Sequence, residues 1–305
     1  MATNQQQLGE LKKKYGEKAM ETASGLLDAQ DAQEALGWVE DLDPQYMKLL
    51  VDYTYGGMYR RGILDERTRT LVVVAQFVVM DEMEQLAQHI RTALKFATPR
   101  EVLEVIFQTG VYIGYPKVVR ATRVFRDIIT KAGRLDELRE TQLPLEGPPR
   151  SLEKERPQWG IPDSPRRQYF LDKYTWQSLS PGMRLQPTHH LVTMERLDRV
   201  DQQFAKLWLD YTYAGMYQRG VLDDKTRHLI VIGEFYVMNE LFQPEAHMRG
   251  ILALGASPRE ILEVILQSTI YGGMPRFNRF IATLEKVLEE QGRLEEITDT
   301  QLPLP

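Results

Sequence analysis

The chain is written twice, and that constrains its fold more than any other feature. DYTYGGMYRRGILDERTR, starting at Asp52, returns as DYTYAGMYQRGVLDDKTR at Asp210, an offset of 158. TPREVLEVIFQTGVYIGYP returns as SPREILEVILQSTIYGGMP, and GRLDELRETQLPL as GRLEEITDTQLPL, both at an offset of 159. One residue is therefore inserted between His247 and Pro258. A unit of about 100 residues occurring two times is a tandem duplication, not a solenoid of many short repeats. The 305 residues exceed what one core usually holds and point to two domains. The boundaries read as an N-terminal helical extension over 1–42, repeat one over 43–145, a linker and helical lead-in over 146–200, and repeat two over 201–305. Within the third of these, EGPPRSLEKERPQWGIPDSPRRQ is rich in Pro and charge and reads as a linker over the surface.

Each repeat is punctuated as helices only, so the expected fold class is all-α with two tandem helical domains. Asp223 is placed to cap a helix running to about Asn239, Pro244 opens the next, and Gly255 closes it. Ser257-Pro258-Arg259-Glu260 and Thr98-Pro99-Arg100-Glu101 are capping boxes with Pro at the first helical position. Pro275 starts a last long helix that Gly292 ends. LVVVAQFVVM is β-branched, but its length and its counterpart LIVIGEFYVM predict a buried helix.

Composition excludes whole classes of chemistry. With no cysteine, the chain has no thiolate nucleophile, disulfide, Cys-ligated zinc or Cys-x-x-Cys redox centre. Net charge is −5 and no basic block carries interleaved aromatics, which argues against nucleic acid. The first residues lack the apolar core of a signal peptide, and no apolar run reaches the roughly 20 residues of a membrane span. A cytoplasmic protein without membrane contact is expected. Five histidines without a His-x-x-x-His or Glu-x-x-His pair predict no metal site, and His189-His190 falls in the expected linker. Neither a Gly-rich phosphate loop nor a Gly-x-Ser-x-Gly elbow is present.

Divergence between the copies shows which polar residues survive inside apolar helices. Glu104, Gln108 and Tyr112 share one helix stripe, as do Glu263, Gln267 and Tyr271. A solvent-facing stripe and a functional one are both open. The pair Gln85…His89 matches Gln243…His247, a spacing that sets amide and imidazole side by side on a helix. Tyr53, Tyr55 and Tyr59 match Tyr211, Tyr213 and Tyr217 and are expected to pack helices. The differences inform equally: Glu234 stands where repeat one has Gln76, and His228 where it has Thr70. Only the second copy combines a carboxylate in the apolar helix with a downstream histidine. This Glu234 can tune or orient the imidazole, serve itself as a base with a raised pKa, or be a core carboxylate paired with an arginine such as Arg227.

The ordered set of motifs from Thr68 to Pro116 resembles the carboxymuconolactone decarboxylase family: Arg-x-Leu, the apolar helix, His-Ile-Arg-x-Ala-Leu, Thr-Pro-Arg-Glu, then Gln-Thr-x-Val-Tyr-x-Gly-x-Pro. Repeat two resembles it equally, through His247-Met-Arg-Gly-Ile-Leu, Ser-Pro-Arg-Glu and Gln267 to Pro275. The resemblance implies an all-α fold that associates into homo-oligomers, here a trimer of tandem chains. The peroxidase-like branch of the family uses a Cys-x-x-Cys just before the family histidine, and the absence of cysteine excludes that chemistry. The decarboxylase branch acts without a cofactor on a carboxylated lactone, by proton transfer near the histidine. Its members often carry a Glu near the position held here by Gln85 and Gln243.

On that resemblance the expected function is a cofactor-independent lyase, most simply a decarboxylase of a small carboxylated ring compound. His247 is the expected general acid with Glu234 beside it. Gln267 and Tyr271 are the expected oxyanion donors. Arg249 or Arg227 would hold the substrate carboxylate, helped by Gln243 and Tyr217. His89, Gln85, Gln108 and Tyr112 are the repeat-one equivalents. The alternatives are a hydratase, isomerase or ring-opening enzyme on the same site, and a non-catalytic assembly protein that kept the fold.

Overall fold

The computed structural model describes residues 11–27, 39–145, 165–185 and 187–303. The reading of 146–164 as a surface linker, and the ends of the N-terminal extension, fall outside those residues. Among the described residues all regular structure is helical. Repeat one runs through α1 (Glu17–Leu26), α2 (Pro44–Val51), α3 (Glu66–Met80), α4 (Met83–Ala93), α5 (Pro99–Ile113), α6 (Tyr115–Lys131) and α7 (Leu135–Glu140). After α8 (Pro165–Lys173) the second half follows the same order, with an additional helix over Pro187–Val200 among the described residues. It comprises α9 (Trp176–Leu185), α10 (Pro187–Val200), α11 (Gln202–Leu209), α12 (Asp224–Met238), α13 (Pro244–Ala253), α14 (Pro258–Gly272), α15 (Phe277–Glu290) and α16 (Glu295–Asp299). None of these helices is long and apolar enough to cross a membrane.

Local chemistry sets the helix ends. Asp65 and Asp223 cap α3 and α12 by accepting the Thr68 and Thr226 backbone N–H, each at 2.8 Å. Both capping boxes form, with Thr98 and Glu101 at α5 and Ser257 and Glu260 at α14. Asp81 and Asn239 end α3 and α12 in the left-handed region, a conformation that Asp and Asn tolerate better than bulky residues. The long helix after Gly273 begins at Phe277 rather than Pro275, because a 3-10 turn over 274–276 intervenes. Sequence did not signal two further features: DYTYGG and DYTYAG both form π-helical turns, each followed by a 3-10 turn. These turns set Tyr59 and Tyr217 inward, both buried.

The core is shared. α3 and α12 are apolar on every side, a pattern suited to the middle of a bundle. They pack against each other, and each is flanked by helices of both repeats. One continuous apolar cluster holds Leu71 to Val79 together with Leu229 to Val237. Three smaller clusters lie outside it among the described residues, one of them Met216 and Tyr217 against Phe107 and Val111. In another, Tyr15, Ala19 and Met20 bring α1 against Met47 and Val51; in the third, Tyr174, Leu179 and Met183 bring α9 against Ala205 and Leu209. Residue for residue α1 and α9 stand 159 apart, as their bounds show, so the helix before each repeat takes the same place in both halves. His189 and His190 are not in a linker: they lie on α10, and His190 is 1% exposed. The reason is the spacing of Leu191 and Met194, whose burial turns that face of the helix inward.

The central pair packs tightly at Gly233. A Cβ there would sit 2.6 Å from Val72 Cγ1, inside van der Waals contact. Gly233→Ala is therefore expected to lower stability by roughly 1–3 kcal/mol through overpacking, despite the ~1 kcal/mol that Ala otherwise contributes to a helix. A urea midpoint equal to that of the parent protein would mean the helices separate there at no cost.

Candidate functional site

Two polar centres lie between the repeats, and each takes residues from both. In the first, Arg227 at the start of α12 is fully buried. Its Nη1 donates to Gln108 Oε1 and its Nη2 to Glu104 Oε1, both at 3.0 Å. Arg219 Nε donates to Glu104 Oε2 at 2.7 Å, and Gln108 Nε2 donates to the Arg227 carbonyl at 3.1 Å. The second centre repeats this with the halves exchanged. Arg69 Nη1 donates to Gln267 Oε1 at 2.9 Å, and Arg61 Nε to Glu263 Oε2 at 2.9 Å. The phenols follow suit, with Tyr112 bonded to Tyr217 and Tyr271 to Tyr59, each pair at 2.5 Å.

The two helical stripes are thus neither solvent-facing nor local. Glu104, Gln108, Glu263 and Gln267 are fully buried, and each stripe serves the other repeat's arginine. This corrects the expected grouping: Gln267 and Tyr271 do not accompany His247 but stand in the His89 centre. His89 is half-buried, stacked on Phe77 at 4.6 Å and edge-on to Tyr271 at 5.7 Å. His247 instead has Tyr112 at 6.1 Å, Phe235 at 4.9 Å and His228 at 5.5 Å between ring centroids. His228 in turn lies 5.5 Å from the Tyr217 ring, with Nδ1 2.7 Å from the Asp224 carbonyl.

Other expected contacts are absent. Arg249 is not in either centre; it pairs with Glu245 at 2.9 Å and with Glu290 on the outer face of α13. Two residues beyond His247 on a helix is about 200° around it, which turns Arg249 away. Arg227 is present but already occupied by Glu104 and Gln108. Gln85 is exposed, Gln243 is half-buried, and neither amide bonds its histidine. Gln243 instead precedes α13, where its carbonyl accepts the His247 backbone N–H at 3.2 Å. Arg61 and Arg219 were overlooked in the sequence, although both copies keep an Arg-Gly pair after the tyrosine.

Electrostatics separate the two centres. Glu234 is fully buried and neither of its oxygens completes a hydrogen bond. Burial pushes its carboxyl up to about 8, opposed in part by the Gln108 amide and the Arg227 charge. Its field reaches both Tyr112 and Tyr217, the phenols beside His247 and His228. The reading of Glu234 as ion-paired with Arg227 is not met, because that guanidinium bonds Glu104. Burial, and then the charge of His228, holds His247 well below the usual imidazole range. At neutral pH this centre therefore contains a protonated carboxylic acid and a neutral imidazole. The other centre has Gln76 in place of Glu234, with Nε2 donating to Ser268 Oγ at 2.6 Å, and the carboxyl that burial raises there is Glu66, beside Arg69 and Tyr59. Among the described residues no group of His, Asp or Glu is arranged to hold a metal ion.

Comparison with known proteins gives two matches to the model of the carboxymuconolactone decarboxylase family, at residues 44–127 and 202–286. A relative from Paracoccus denitrificans is an uncharacterized 15.0 kDa protein of the nqo9-nqo10 intergenic region. It is 34% identical over 101 residues, which cover 32% of this chain and 72% of that protein. A 4-carboxymuconolactone decarboxylase from Acinetobacter baylyi is 24% identical over 100 residues, covering 33% of this chain and 75% of that protein.

Proposed function

The chain belongs to the carboxymuconolactone decarboxylase family, and within it we propose a cofactor-independent carboxy-lyase whose chemistry resides in the Glu234 centre. The observation that carries this reading is Glu234 itself: a buried carboxyl whose oxygens are left without a geometrically complete hydrogen bond, held protonated in the centre that contains Tyr112 and Tyr217 and, through the Tyr112 ring, His247. An unpaired buried carboxyl costs stability, and such a cost is typical of a group kept for reaction. When a carboxylated unsaturated lactone loses CO₂, the electrons of the breaking C–C bond pass into the ring and leave a dienolate. Carbon must then be protonated. Glu234 is the donor this centre offers at neutral pH, and the role first given to His247 passes to it. His247, neutral and packed edge-on against Tyr112, positions that phenol. Tyr112 and Tyr217 share one hydrogen bond between two hydroxyls, which leaves one O–H to point at the enolate oxygen. A homo-oligomer is part of the proposal, supported by matching exposed residues on α2 (Tyr46, Leu49) and α11 (Phe204, Leu207).

His247→Ala is expected to reduce turnover by about 10²-fold or more, and His89→Ala to leave most of it. The assay is a screen of carboxylated lactones and ring acids, starting with 4-carboxymuconolactone and following CO₂ release and ultraviolet absorbance. Equal losses in the two variants would remove the asymmetry on which the proposal stands.

A further inference from the structure

A cleft of about 420 Å³ opens between α5 and α6 of repeat one and the Tyr211–Met216 segment of repeat two. Its floor is apolar, formed by Phe107, Val118 and Met216, and Arg123, Arg126 and Tyr211 stand at its rim. The duplication provides an internal comparison. At the equivalent place in the other half, Thr269 replaces Gly110 and its Oγ1 is bonded to the Tyr53 hydroxyl at 2.5 Å. In this half a Cβ on Gly110 would lie 3.3 Å from the Tyr211 hydroxyl and 3.2 Å from Val118, so glycine is what lets both side chains sit close to α5. Val118 likewise stands opposite Phe277, a larger side chain, in the 159-residue register. The rim changes sign as well, since Arg123 and Arg126 correspond to Ala282 and Glu285. Both arginines are exposed on one face of α6, three residues apart, and neither has an acidic partner among the described residues.

We propose that this cleft is a ligand site separate from the Glu234 centre, in the half that carries Gly110, Val118, Arg123 and Arg126, for an aromatic carboxylate of one or two rings. Three features favour that class over other small molecules. The volume falls within the roughly 300–1,000 Å³ of small-molecule sites. The apolar floor takes a ring face. The two planar guanidiniums, set one turn apart, suit the two oxygens of a carboxylate. The site does not depend on the lyase reading, although Phe107 connects the two places: its ring lies 5.8 Å from Arg219, the partner of Glu104.

The test is a fluorescence titration of the full chain with 1-naphthoate at low ionic strength. Saturable binding of one molecule per chain is expected. The double variant Arg123→Ala/Arg126→Ala should weaken it roughly tenfold or more, as loss of charge-assisted contacts does. Gly110→Thr, which copies the other half and presses a side chain against Val118 and Tyr211, should abolish it, and Glu234→Gln should leave the affinity unchanged. Absence of saturable binding to the parent protein overturns the proposal. So does an affinity that survives the double arginine variant, or one that is lost in Glu234→Gln, which would move the ligand to the other centre. The arginines are exposed, so the double variant decides the matter even where Gly110→Thr fails to fold.

Discussion

Glu234→Gln is expected to lower kcat by about 10²- to 10⁴-fold, the usual contribution of a positioned proton donor, while making the protein more stable. The two effects come from one pKa. In the unfolded chain this carboxyl ionises near 4.5, and in the folded one near 8. Below pH 4.5 both states are protonated and the group makes no difference to stability. Between those values the unfolded state loses its proton and the folded state keeps it, so stability falls as pH rises, and the loss is complete above about 8. At pH 8 the penalty is on the order of 3–5 kcal/mol. Gln removes it, as Gln76 already does in the other half. Urea unfolding at pH 5 and pH 8 should show parent and variant converging at the lower pH and separated at the higher. On the proposed reading, turnover of the parent protein should fall as pH passes through 8, where Glu234 ionises. Full activity in Glu234→Gln would take the proton from another group.

The second large effect concerns structure. Glu104→Ala is expected to cost roughly 3–5 kcal/mol, because it strands a fully buried arginine. Arg227 loses the carboxylate that its Nη2 meets at 3.0 Å, and Arg219 loses its own partner at 2.7 Å. Glu104 belongs to repeat one and both arginines to repeat two, so the loss falls on the contact between halves. Glu104→Gln should recover part of it, since an amide oxygen still accepts a hydrogen bond. An unfolding free energy within about 0.5 kcal/mol of the parent, the ordinary scatter of surface changes, would show that water reaches Arg227 and that the pair is not sealed.

What could be read from sequence follows the range of the interactions. Helix ends were legible because their causes are local: an aspartate three residues before a bonded N–H, a capping box, a glycine able to take positive φ. The π-helical turns at DYTY gave no such signal, since the same residues suit an α-helix. Glu234 was legible for a different reason, as the position where one copy departs from the other. The exchange of stripes was not. When both copies carry Arg, Glu, Gln and Tyr in one order, pairing within a repeat and pairing across repeats have the same sequence. That is why Gln267 and Tyr271 were assigned to His247, although packing of α3 against α12 delivers them to His89. Arg249 was misplaced by the opposite error, since nearness along the chain says nothing about the side of the helix.

The exchange also bears on how the chain is made. Arg69 lies 198 residues before Gln267, the side chain that satisfies it. At about 5–20 residues per second of synthesis, that interval lasts roughly 10–40 s. Throughout it the first half has emerged with a cation and an apolar helix designed for burial and nothing yet to cover them. A folding unit that is complete in sequence at residue 145 is thus left unfinished in structure until the second copy arrives. During that time its natural substitute is the first half of another nascent chain on the same message, so domain-swapped pairs are the characteristic misassembly of this architecture.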